Sequence, residues 1–318
     1  MGAYVRRRLL QAALTVLGVM LLTFVLFRVI AGDVSAQYLG PRATEQDRQR
    51  WLAQHGLTKP LFVDTHHAPW SKAFWDSQFV NHLVDSVTFG GRSFRTHERL
   101  RDIIAKRGRY SLAISVPALA AGWVAALVIA LVVAYYRDTW LDRTGVFLSV
   151  LGMCVPFLAY MILGQWLVLK ILPSAAWGLG HTTNIYVPVT IAVIASLGHN
   201  VRFYRTIILD EVRRDYVRTA RAKGAPLSNI LFGHVLKNCM LPILTNLVTA
   251  VPFLILGSLL LETFFGIPGL GEQMISSITS RDVPIIAGLT FLTAVIYVLG
   301  YLVTDILYAV FDPRVRLQ

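Results

Sequence analysis

Lys59, Lys72, Lys106, Lys170, Lys223 and Lys237 are the side chains a phosphate loop would draw on, and none of them follows a glycine. The pattern G-x-x-x-x-G-K-[ST], which lays backbone N–H groups and a lysine against nucleotide phosphates, is therefore absent. His97-Glu98 is followed by Arg101 where a helical zinc motif needs its second histidine, and His66-His67 has no third ligand at metal spacing. No G-x-S-x-G places a serine on a nucleophile elbow. Cys154 and Cys239 lie in or beside apolar runs and read as small apolar fillers rather than a metal or redox pair. His82, Asp85 and His97 fall in one polar segment and leave a single enzymatic alternative, a membrane enzyme with its site there. No metal ligand set is assigned.

The residues between 207 and 238 are built for contact instead. Leu209 to Lys223 is compatible with a helix, with Asp210, Glu211 and Asp215 early and Arg218, Arg221 and Lys223 late, the order a helix dipole favours. Gly224 supplies a left-handed stop and Pro226 prevents continuation. A second helical segment is expected from Leu227 to Cys239, and the small Ala220 and Ala222 let another surface approach the backbone. A merely solvated basic loop fits the same residues.

The composition decides where these residues sit. Hydrophobic residues make up 55% and charged residues 15% of the 318, and mean hydropathy is +0.57. A soluble domain carries about 25% charged residues, so this chain is an all-α integral membrane protein. A bilayer core takes roughly 20 apolar residues of helix. Uncharged stretches at Leu9–Phe27, Tyr110–Tyr136, Thr144–Leu169, Ile171–Val201, Asn238–Leu261 and Val283–Thr304 predict six transmembrane helices, the fourth starting near Ile185 after a Pro/Gly/His-bearing loop. The first stretch is long enough to span, so it reads as a retained helix and not a cleaved signal.

The net charge of +12 would point to nucleic acid in a soluble protein. Here the cations flank apolar runs, so no nucleic-acid partner is expected. Arg6, Arg7 and Arg8 precede span one, Arg137 and Arg143 lie between spans two and three, eight Lys and Arg residues lie between spans four and five, and Arg314 and Arg316 follow span six. The two short opposite connections offer Lys170 and Arg281 alone, and the long one after span one is exempt from the charge rule. The positive-inside rule then puts both termini in the cytoplasm. Three regions result: 1–30 with the first helix, an extracytoplasmic cap at 31–109, and a core at 110–318 that carries the loop 207–238. Within the cap, Thr96–Arg107 has Leu100, Ile103 and Ile104 at helical spacing and is expected to lie along the outer membrane surface.

Asp215-Tyr216-Val217-Arg218-Thr219-Ala220-Arg221-Ala222-Lys223-Gly224 resembles the cytoplasmic loop of permease subunits of bacterial ABC importers, in the dipeptide/oligopeptide/nickel branch. That family's EAA motif runs E-A-A, three residues, then Gly. Ala220 and Gly224 match it, while Arg218 and Thr219 stand in place of Glu and the first Ala, as is usual for the peptide branch. Glu262-Thr263-Phe264-Phe265-Gly266-Ile267-Pro268-Gly269-Leu270-Gly271 resembles the branch's E-T-x-F-x-x-P-G-L-G. Asp305 to Arg314 resembles its closing D-x-x-Y-x-x-x-D-P-R.

The resemblance implies the type I importer permease fold and a pore-forming subunit in the bacterial plasma membrane that catalyses nothing itself. ATP and Mg would be bound by two ATPase partner subunits. A second permease, a paralogue in this branch, would complete the pathway, and an extracytoplasmic binding protein would deliver peptides. It also implies that Asp215, Tyr216, Arg218, Thr219, Ala220, Arg221, Ala222, Lys223, Gly224 and Ala225 dock on an ATPase. Glu262, Pro268, Gly269, Gln165 and Asn246 are candidates for the pathway or its outer gate. For Glu262, a charge solvated by headgroups and loop amides is the alternative. Gln165, Asn200 and Asn246 fit interhelical hydrogen bonds equally. Competing functions are a nickel or other small-solute importer of the same family, a channel needing no ATPase, and the membrane enzyme above.

Overall fold

The computed structural model describes residues 2–30, 32, 35–40, 42–65, 67–68, 70–171, 183–250 and 259–311. Of the loop expected from Pro173 to Asn184, residues 173–182 lie outside the described residues, while Thr183 and Asn184 already belong to a helix. Pro252, the closing Asp312-Pro313-Arg314 of the last motif and His66 also lie outside them. Among the described residues every regular element is a helix, and the one extended pairing is an isolated antiparallel bridge between Arg92 and Arg99.

Helix α1 (Gly2–Phe24) runs on through a π-helical turn, Val25–Ile30. Four short helices follow: α2 (Ser35–Leu39), α3 (Glu45–Gln54), α4 (Lys72–Trp75) and α5 (Gln78–Thr88). Helix α3 starts at a capping box, in which Thr44 Oγ1 accepts from Asp47 N while Asp47 Oδ2 accepts from Thr44 N. Then come α6 (Leu100–Tyr135), α7 (Trp140–Cys154), α8 (Phe157–Ile171), α9 (Thr183–Val212), α10 (Asp215–Ala222) and α11 (Leu227–Asn229). A π-helical stretch, Ile230–Val235, leads into α12 (Leu236–Ala250). The last helices are α13 (Leu259–Phe265), α14 (Leu270–Ser280) and α15 (Val283–Phe311).

Five helical stretches are long and apolar enough to cross a membrane: Arg6–Ile30, Leu100–Tyr135, Ile185–Val212, Ile230–Ala250 and Val283–Ile306. The pair α7 and α8, bent by 102°, makes a sixth if taken as one span. The expected third span is thus broken. Val155 is extended (φ −83°, ψ 121°), because a proline disfavours helical geometry in the residue before it. Pro156 also has no N–H for the Gly152 carbonyl four residues back. The Tyr160 hydroxyl donates to that carbonyl at 3.0 Å, so the acceptor that Pro156 frees is taken up.

Two further expectations are refined. The stretch expected at Thr96–Arg107 is helical from Leu100 onward and runs straight into span two as the opening of α6, whose 36 residues extend about 54 Å at 1.5 Å each. Nothing breaks the helix there, and Leu100 and Ile103 are buried. Span five begins earlier than the uncharged run at Asn238 implied, because Ile230, Leu231 and Val235 are buried on a helical path that starts at Ile230.

The chain forms two compact units. The first is built around Arg107–Gln273. Its core gathers Val201, Tyr204, Ile208, Val217, Ile230, Val235, Cys239 and Ile243. Helix α7 packs on α9 at small residues, and a Cβ on Gly198 would lie 2.9 Å from the Ser149 carbonyl oxygen, the close backbone approach small residues permit in membranes. Asp142 on α7 accepts from Arg205 on α9 through two hydrogen bonds, each 2.8 Å.

The second unit joins Arg6–Lys106 to Met274–Val298. Phe24 is fully buried, edge-on to Phe62 and Phe79. Tyr38 stacks on Trp51 and donates to the Arg281 carbonyl at 2.9 Å. Asp282, just before α15, accepts from the Ser93 hydroxyl and from Phe94 N. Leu100 occupies the space above Gly288, where a Cβ would collide with it. Polar residues of segment 31–106 are therefore fastened to apolar helices of their own unit.

Candidate functional site

The contact loop begins where α9 ends at Val212. Arg214 is extended (φ −67°, ψ 152°) and opens α10, which covers Asp215–Ala222. The helix is eight residues long, shorter than the expected run from Leu209 to Lys223. The turn at Arg213-Arg214 separates it from α9, and Val217, 1% exposed, anchors its inner side in the core of the first unit. Tyr216 and Ala220 pack beside it, and burial pushes the Tyr216 phenol above its ordinary value. Asp215, Arg218, Thr219, Arg221, Ala222 and Lys223 are exposed and share the outer side. Asp215 lies in the first turn and Arg221 in the last, matching the dipole.

The stop is conformational. Gly224 has φ +77°, its N–H donates to the Arg221 carbonyl at 2.9 Å, and Ala225 N donates back to the Ala220 carbonyl at 3.2 Å. Nothing lies within 4 Å of where a Cβ would stand on Gly224, so glycine is needed there for its backbone and not for space. The result is a short helix, held from within by one valine and presented outward by six polar or small residues.

Glu262 sits elsewhere in the same unit and is fully buried. Its Oε2 accepts from Gly271 N at 2.7 Å and from Glu272 N at 3.1 Å, the opening amides of α14. Ser111 Oγ on α6 accepts from Leu270 N at 2.8 Å, and Arg107 is paired with Glu272. A Cβ on Gly269 would run into the Glu262 carboxyl group, and one on Gly271 would run into the Leu259 backbone. The turn between α13 and α14 is thus wound around one buried acid. Its carboxyl group rests on the amides that open α14. Pro268 is half-buried in that turn.

The remaining candidates separate. Asn246 on α12 accepts from the Tyr204 hydroxyl at 3.1 Å and lines a cavity of about 210 Å³ between helices of the first unit. Gln165 is half-exposed on α8 and is not among the residues lining that cavity. His82 and Asp85 line one cavity of the second unit and His97 another. Among the described residues no three of His, Cys, Asp and Glu come together. Cys154 is exposed and Cys239 buried, each as a free thiol.

Sequence reasoning missed Ser111, Val217, Tyr160 and the Asp142–Arg205 pair. Asp142 carried a faint signal, being an acid among the arginines that flank the second connection.

Several helices long and apolar enough to cross a membrane, with an exposed glycine-capped helix between two of them, define a multi-pass membrane protein. Residues 126–317 match the family described as binding-protein-dependent transport system inner membrane component, and the chain belongs to that family as a permease subunit of an ABC transporter. It is 32% identical to the dipeptide transport system permease protein of Lactococcus lactis subsp. cremoris, over 100% of each chain. It is 29% identical to the dipeptide transport system permease protein of Bacillus subtilis, over 100% of this chain and 99% of the relative. It is 30% identical to the glutathione transport system permease protein of Salmonella choleraesuis, over 98% of each. Its place is the inner membrane.

Proposed function

We propose that this chain is one of two permease subunits of an ATP-driven peptide importer. The observation that carries this reading is similarity along essentially the whole chain to permeases named for dipeptide and glutathione transport. In this reading a paralogous permease completes the pathway, a binding protein delivers the peptide, and ATP with Mg is bound and hydrolysed by two partner subunits. Both termini face the cytoplasm, which the distribution of Lys and Arg supports. The region 207–238 is then cytoplasmic and 31–109 forms the outer cap.

The exposed side of α10, from Asp215 to Lys223, docks in a groove on an ATPase subunit. Rigidity is the physical requirement. Closure of the ATPase pair moves the groove, and a helix anchored by Val217 and ended at Gly224 passes on that motion as a rigid body. Glu262, with Pro268 and Gly269, holds the shape of an outer turn at the gate and does not grip the substrate.

The test is reconstitution of the chain in proteoliposomes with its paralogue, two ATPase subunits and binding protein. The expected result is peptide accumulation that requires ATP and binding protein. Uptake running downhill without ATP would make the protein a channel, and import of nickel but not peptide would overturn the substrate class.

A further inference from the structure

The cavity of about 210 Å³ in the first unit is lined, among the described residues, by α6, α8, α9 and α12 and by Leu261 of α13. A cavity holds a water at about 15 Å³, so this partly open space admits several waters or a short stretch of ligand. Most of its wall is apolar, and its polar groups are Ser115 and Trp123 on α6, Ser196, Asn200 and Tyr204 on α9, and Asn246 on α12. Among the described residues, none of those lining it carries a charge.

Two of these groups are unspent. Serines and threonines inside this chain's helices regularly return their hydroxyl to a carbonyl three or four residues back, as Ser149, Thr190, Ser196, Thr206 and Thr245 do. Ser115 does not. It is 8% exposed, its Oγ is buried, and no partner for it stands among the described residues. Trp123 Nε1 is likewise buried without a partner. The two residues are eight apart on α6 and so share a face. An unpaired buried donor costs about 1–3 kcal/mol, a cost a folded chain avoids unless something else takes the bond. Across the space, the Tyr204 hydroxyl donates to Asn246 Oδ1 and so fixes that amide with its NH2 still to offer.

We propose that this cavity is a substrate subsite that holds the uncharged backbone of a peptide, with its carbonyl oxygens accepting from Trp123 Nε1, Ser115 and the Asn246 amide. The indole N–H can only donate, so the ligand must bring an acceptor, and every peptide unit brings one. Charged termini and charged side chains are excluded, since the wall has no counter-ion and desolvation would go uncompensated. Recognition by backbone against an apolar wall accepts many side chains. The inference rests on the peptide-importer reading and deepens it.

The test uses the complete reconstituted importer with Ser115→Ala and Trp123→Phe, singly and together. Uptake is measured with a mixed library of tripeptides to hexapeptides read by mass spectrometry. Ser115→Ala removes an unpartnered polar atom, so its melting temperature is expected to stay level or rise, whereas Trp123→Phe also empties ring volume packed against the core and is expected to lower it. Uptake is therefore compared at a temperature where both variants are fully folded. Initial uptake at sub-saturating peptide is expected to fall about fivefold for each variant, the equivalent of one lost hydrogen bond. Uptake by both variants within twofold of the parent, with the parent importing peptide, overturns the subsite and leaves the importer reading standing. A parent complex that imports another solute and no peptide overturns the importer reading, and the subsite with it.

Discussion

Glu262 Oε2 accepts from the Gly271 amide at 2.7 Å, so the first turn of α14 is capped by a side chain from the helix before it. The same oxygen takes the Glu272 amide at 3.1 Å, and Ser111 takes that of Leu270. Helix starts leave their first amides without partners, and here two other helices, α13 and α6, supply acceptors for three of them. In Pro268-Gly269-Leu270-Gly271 the first glycine leaves room for the carboxyl group and the second for the Leu259 backbone, which explains why a buried acid and a Pro-Gly turn occur together.

Glu262→Ala leaves the Gly271 and Glu272 amides unpaired in a buried corner. It is expected to destabilise the chain by about 3 kcal/mol, taking 1–3 for each lost partner. Glu262→Gln keeps one acceptor oxygen and is expected to lose about half as much. Thermal denaturation in detergent, followed by the fraction remaining monodisperse, checks the order alanine, glutamine, parent.

Asp142 and Arg205 form a two-pronged ion pair with side chains 7% and 21% exposed. Removing one partner strands the other charge, so Asp142→Ala is expected to cost about 3 kcal/mol. The double change Asp142→Leu with Arg205→Met removes both charges and is expected to recover most of that loss. A double-mutant cycle on unfolding midpoints measures it.

Gly224 is left-handed in open space, so substitutions there are graded by backbone preference alone. Gly224→Asn tolerates that conformation and is expected to keep transport coupled to ATP hydrolysis. Gly224→Val adds a β-branch where even a plain side chain costs about 1–2 kcal/mol, and is expected to let hydrolysis proceed without uptake. The ratio of peptide imported to ATP consumed is the measurement. An unchanged ratio in the valine variant counts against α10 as the coupling element.

Burial, reinforced by Arg28, holds the His82 imidazole below its ordinary value of 6.5. Its Nε2 lies 3.2 Å from Thr23 Oγ1. The unfolded chain takes up a proton at this site before the folded one does. Stability from His82 is therefore full above 6.5, declines as pH falls below 6.5, and levels off beneath the folded value. Burial also raises the Asp85 carboxyl group, with Arg28 opposing. Melting temperatures across this range are expected to fall less on acidification in His82→Gln than in the parent.

Hydropathy and local backbone chemistry were legible in the sequence. Lipid demands about 20 apolar residues per helix, so spans could be counted along the chain. Gly224 and Pro226 marked the end of the contact helix because a left-handed stop is a property of the residue itself. The beginning of that helix was not legible, because burial of Val217 among Tyr204, Ile230 and Cys239 depends on residues from other helices. Prolines show the same division. Pro117, Pro188 and Pro242 sit inside continuous helices, whereas Pro156 breaks one by 102°, with Tyr160 at hand to take up the freed Gly152 carbonyl. The sequence could name Glu262 and Asn246 as polar residues near apolar runs, and only the folded chain chose the Gly271 amide for one and the Tyr204 hydroxyl for the other. Apolar transfer adds up along consecutive residues and can be read in order. A hydrogen bond is short and directional, and its partners are set by which distant segments the packing brings within about 3 Å.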